Sequence, residues 1–150
     1  MTTTITRRLA REWAVQMLTA IDLNRASDIE NVIADFWEQL PTLDADDGGL
    51  EGARVKARMR EFASERVLGV MENVTEIDSQ IAPLMEHWDI SRLGTVERAV
   101  LRLGAWELKN TDIPCGVVIN EAVDLVNWFS SPRSRALING VLDKYAKKIR

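Results

Sequence analysis

The chain has 150 residues, 46% of them apolar and 28% charged, with a net charge of −4. This suits one globular domain with a real core and argues against a disordered segment. No apolar run approaches the roughly 18 residues that span a bilayer, and one histidine and one cysteine supply neither an internal disulfide nor a closed zinc site.

The N-terminus, MTTTITRRLAREW, has no apolar stretch of the kind a secretory signal carries, so a cytoplasmic protein is expected. A first amphipathic helix is predicted from about Ile5 to Leu23, with Leu9, Trp13, Met17, Ala20 and Ile21 on one face. Arg7, Arg8 and Arg11 fall on the opposite face, with Thr19 near its edge. Like charges at i, i+4 and cations in the first turn both work slightly against a helix. They make sense where guanidinium forks meet phosphate oxygens. A solubilising basic face is the alternative.

A second helix is predicted from Ser27, its expected cap, to Leu40, with Pro41 after its end. PTLDADDGGLEG then reads as an acidic, glycine-rich mobile loop. It lacks the Gly-Lys-Ser/Thr ending of a phosphate loop, and Asp44, Asp46 and Asp47 would repel phosphate. Further helices are predicted at about Leu50–Asn73 and Glu76–His87, the latter kinked or ended by Pro83. Another is expected at Thr95–Asn110, capped by Thr95 with Glu97 in its first turn. The next runs from about Cys115 to Ser130 behind Asp112 and Pro114, and the last covers Pro132–Ile149. The result is an all-α protein of about seven helices with no independent second domain.

Within the sixth helix Trp128 falls on the polar side of the wheel. It is read either as an exposed aromatic platform, or as buried against a neighbour or used in self-association. Gly140 costs about 1 kcal/mol inside a helix, which a close helix approach would offset. Cys115 reads as a small buried apolar residue, and His87 as a surface or interface residue. No nucleophile stands near a base, so a non-enzyme is expected, with no metal and no cofactor.

Charge is uneven along the chain. Residues 1–25 sum to +2, residues 133–150 to +5 and residues 26–132 to −11. Arg133 and Arg135 open the last helix and extend the basic patch if the two termini are adjacent. Such asymmetry suits an anionic partner at one surface and a cationic one at another.

The segments RRLAREWAVQML, TVERAVLRLGAWEL, IPCGVVINEAVDLVNWF and INGVLDK together closely resemble the NusB family of bacterial transcription antitermination factors. The resemblance covers the first helix and the second half; residues 26–88 share only helical character. It implies two packed three-helix subdomains. It also implies binding of boxA-type RNA with NusE, a small-subunit ribosomal protein, in the RNA polymerase antitermination complex during ribosomal RNA synthesis. On the family's pattern Arg7, Arg8 and Arg11 stand in the RNA-binding motif, while Thr19 and Glu97 stand at NusE contacts. Trp128, Arg133 and Arg135 are further RNA candidates. Thr19, Ile21, Gly116, Ala136 and Leu137 depart from the family's usual residues. A diverged interaction module or homodimer without specific RNA binding is therefore the competing expectation.

Overall fold

The computed structural model of the chain describes residues 6–40, 49–86, 89–127 and 131–150. They form seven α-helices, and no strand occurs among the described residues. The chain divides into two compact units, Met1–Leu68 and Gly69–Arg150.

The first unit is built from α1 (Arg7–Leu23), α2 (Ile29–Gln39) and most of α3 (Gly49–Glu72). The Thr6 hydroxyl caps α1 by accepting the Leu9 amide at 3.2 Å. Trp13, Met17 and Ile21 are buried along the predicted stripe, but Leu18 is buried beside them, while Leu9 is half-buried and Ala20, at the edge of the stripe, is exposed. The cap of α2 is Asp28 rather than Ser27, its carboxylate accepting the Glu30 amide at 3.0 Å. Ser27 lies one residue too early to reach that donor.

Aromatic edges lock the helices of this unit together. Trp13 meets Trp37 edge-to-face with ring centroids 5.4 Å apart, and the Trp37 indole N–H donates to the Ser64 hydroxyl at 3.2 Å. The acidic loop expected at 41–52 lies outside the described residues except for 49–52, which already belong to α3. Gly49 opens that helix at φ +56°, where a side chain would be strained.

The second unit holds the end of α3, then α4 (Val74–Ile81), α5 (Thr95–Asn110), α6 (Cys115–Val126) and α7 (Pro132–Ile149). Pro83 stops α4 by turning the chain into a short 3-10 turn, Ala82–Leu84. Helix α5 is the centre, buried throughout Ala99–Leu108 and packed against α4, α6 and α7. Its N-cap is Gly94, so Thr95 is the first helical residue and not the cap expected from sequence. His87 lies outside the described residues.

Close approach falls at other glycines than Gly140. A methyl on Gly104 would stand 2.8 Å from Leu142 Cδ1, and one on Gly69 would overlap the Trp106 indole. Around Gly140 nothing lies within 4 Å of such a methyl, so the tight contact expected there is absent. Gly140→Ala is therefore expected to stabilise the chain by about 1 kcal/mol through helix propensity alone. A melting experiment should show Tm rising by about 2–4 °C; a fall would mean that the methyl is not accommodated.

Arg150 closes the far end of α5. Its guanidinium donates to the carbonyls of Leu108 at 2.9 Å, Thr111 at 2.8 Å and Ile113 at 2.6 Å. These are carbonyls that the end of a helix and the following loop leave unsatisfied. The same group lies 3.3 Å from the Cys115 sulfur. Cys115 is half-buried rather than fully buried as expected, because it opens α6 at this junction. Nearby, Tyr145 donates to Gln80 at 2.7 Å, and burial pushes its phenol above the usual tyrosine range.

Candidate nucleic-acid interface

The Thr6 cap sets where α1 begins, and so places three arginines in its first two turns without an acidic residue in the first. Their side chains separate by depth. Arg7 and Arg8 are exposed, whereas Arg11 is only 3% exposed. Arg11 thus leaves the outward face on which the wheel puts it: its guanidinium lies 5.3 Å from the Phe62 ring centroid. A long, flexible side chain can fold onto an aromatic ring a helical wheel knows nothing of. Arg7 lies over the same ring at 5.7 Å.

Two further residues from α3 belong to this arrangement and were missed in the sequence. Arg66 stacks on Phe62 at 3.3 Å and is 3% exposed. Arg60 lies over Trp37 at 5.4 Å, and its buried Nε has no hydrogen-bond partner. The i, i+4 spacing of Phe62 and Arg66 was the available signal, but only α1's approach to that ring makes it part of a cationic site.

In the second unit Arg133 is exposed and Arg135 half-buried, at the start of α7. Ser131 caps that helix by accepting the Ser134 amide at 3.2 Å. Both arginines therefore sit at the positive end of a helix dipole, where an anion adds to the attraction that the guanidinium groups exert. Of the residues that depart from the family's usual pattern, Gly116 and Ala136 are exposed and Leu137 is half-buried. Trp128 lies outside the described residues.

The two residues expected at a protein contact are both half-buried. The Thr19 hydroxyl donates to the Val15 carbonyl at 2.8 Å on its own helix. Glu97 stands in the first turn of α5, its carboxylate folded back into the space beside Gly94. The turn before α5 is firmly built. Asp89 caps the Ser91 amide at 3.0 Å, and Arg98 donates to the carbonyl of Ile90 at 3.2 Å. Hydrogen bonds from the Ser91 amide and hydroxyl hold the Asp89 carboxyl below the usual carboxylate range.

Chemically these groups form cationic contacts for an anion and a half-buried carboxylate for a polar or basic partner. No cluster of three or more histidine, cysteine, aspartate or glutamate residues suited to a metal ion occurs among the described residues. Among them, too, no helix is long and apolar enough to cross a membrane.

Comparison with known proteins shows the family and the fold. The profile of the NusB family matches residues 8–147. A transcription antitermination protein NusB from Sorangium cellulosum is 38% identical over 144 residues, covering 95% of this chain and 93% of that protein. One from Helicobacter hepaticus is 40% identical, covering 95% of this chain and 82% of its own length. Among solved structures, T. maritima NusB superposes with a TM-score of 0.78 at 29% identity, covering 97% of this chain and 94% of the other. A crystal structure of antitermination factors NusB and NusE with double-stranded RNA gives a TM-score of 0.70 at 30% identity, covering 95% and 96%.

Proposed function

Because this chain belongs to the NusB family, we propose that it is a non-enzymatic transcription antitermination factor that binds boxA-type RNA together with NusE. In this reading the pair joins the RNA polymerase antitermination complex during ribosomal RNA synthesis, in the cytoplasm. The observation that carries it is the exposed Arg7–Arg8 pair at the start of α1, in a chain 30% identical to a NusB crystallised with NusE and RNA. Arg7 and Arg8 take phosphate oxygens, and Arg11 supports them from inside the unit. Arg133 and Arg135 bind the backbone at the start of α7. Glu97 and Thr19 face NusE, and Trp128 offers a base-stacking surface.

Charge supports the division of labour. The acidic middle of the chain suits a basic ribosomal protein, and the arginine-bearing segments suit a polyanion. Phosphate contacts give affinity without sequence information, so base choice falls to unstacked nucleotides read jointly with the partner. Titration of a boxA-type RNA oligonucleotide into the chain, with and without NusE, tests this. Binding is expected to tighten by about tenfold or more with NusE, which is about 1.4 kcal/mol of coupling. RNA affinity indifferent to NusE, or a chain that dimerises and ignores RNA, would sink the reading.

A further inference from the structure

Guanidinium groups repel one another, yet three converge on a single aromatic ring. Arg7, Arg11 and Arg66 lie 5.7, 5.3 and 3.3 Å from the Phe62 centroid. Arg66 follows Phe62 by one helical turn and also donates to the Phe62 carbonyl at 3.4 Å, so it is fixed on the ring by its own helix. Arg11 and Arg66 are buried, while Arg7 is exposed. One ring thus ties two internal cations to a third that emerges into solvent.

The physics of the contact favours a role for the ring in binding. An aromatic face attracts a cation through its quadrupole. A guanidinium over that face keeps its N–H edges available for a bidentate pair of oxygens. An arginine held this way has already lost much of the rotamer freedom that binding would otherwise have to freeze. We propose that Phe62 is a positioning residue for RNA binding, holding the Arg7 guanidinium on its face in the orientation from which it takes phosphate oxygens. The inference rests on the RNA-binding reading above and adds to it a residue that touches no RNA.

The test compares the unmodified chain with Phe62→Leu, Phe62→Tyr and Arg7→Gln. Each binds a single-stranded boxA-type RNA oligonucleotide, with NusE present, across a salt series. Phe62→Leu is expected to weaken affinity about 2–5-fold, the range of an exposed cation–π contact. The slope of log affinity against log salt should stay unchanged, because no charge is lost. Phe62→Tyr, which keeps the ring face, should bind as the unmodified chain does. Arg7→Gln should lower both the affinity and the slope.

Nuclear magnetic resonance of the arginine side chains in the unmodified chain provides a second measurement that no folding defect can obscure. The Arg7 side-chain signals should be displaced upfield by the Phe62 ring current. Unshifted Arg7 signals overturn the proposal, as does a Phe62→Leu chain that binds normally while Arg7→Gln does not. An unmodified chain that binds no RNA overturns the functional reading and this inference with it.

Discussion

Replacing Arg7 and Arg8 together by glutamine is expected to weaken capture of boxA-type RNA by about 30-fold at moderate salt. Both side chains are exposed at the start of α1, so each phosphate contact is screened. We assign it about 1 kcal/mol, below the 1.5–3 typical of charge-assisted hydrogen bonds. Two such losses make about 2 kcal/mol, and 1.4 kcal/mol is tenfold. The salt dependence supplies the sharper reading. Each phosphate contact to a single strand contributes about 0.7 to the slope of log affinity against log salt, so the double substitution should reduce it by about 1.4.

Arg11→Gln is expected to behave differently, since its guanidinium is packed on Phe62 inside the unit. That change should lower Tm more than it lowers the salt slope. Isothermal titration over a range of salt concentrations, with melting curves alongside, separates the two roles. If the Arg7/Arg8 double substitution leaves affinity and slope untouched, the basic turn serves solubility and the phosphate contacts lie elsewhere.

Removing Asp78 is expected to cost about 3 kcal/mol of stability, the lower end of the range for breaking a buried ion pair. Asp78 on α4 takes the guanidinium of Arg102 on α5 in a two-point fork, at 2.9 and 2.8 Å. The arginine side chain is 6% exposed and the aspartate 28%, so the loss deprives a buried cation of its carboxylate while water reaches only the other partner. In Asp78→Ala the guanidinium is left without that carboxylate in a site water barely enters. Tm should fall by about 6–12 °C for a chain of this size. Asp78→Asn keeps the shape and loses the charge, so it should recover only part of the loss. Replacing both partners by apolar residues should recover most of it, because the pair's desolvation cost disappears along with its attraction. An Asp78→Ala chain within 1 kcal/mol of the unmodified one would show that the fork contributes little.

The helices themselves were legible because their signals are local. The spacing of Trp13, Met17 and Ile21 marks the buried face of α1, and all three are buried. Thr95–Asn110 and the Pro132 start of α7 coincide with the predicted bounds, since proline and the apolar period act within a turn or two. Caps were less well read. Ser27 gave way to Asp28, whose carboxylate reaches the free amide, and Thr95 to Gly94, whose extended backbone ends the helix one residue earlier with no side-chain cap.

What depended on residues distant in sequence was not legible. Helical periodicity assigns Arg11 to the outward face, but the side chain is long enough to fold onto Phe62, some fifty residues away. Gly140 looked like the close-packed glycine, while the approaches are at Gly69 and Gly104, set by Trp106 and Leu142. Arg150 gave no signal as the group that closes α5. The order of polar and apolar side chains alone determined that the chain is helical and that arginines gather at the start of α1. Tertiary structure alone decided which of those arginines meet water, because a side chain's depth is set by the rings and carbonyls that other helices bring to it.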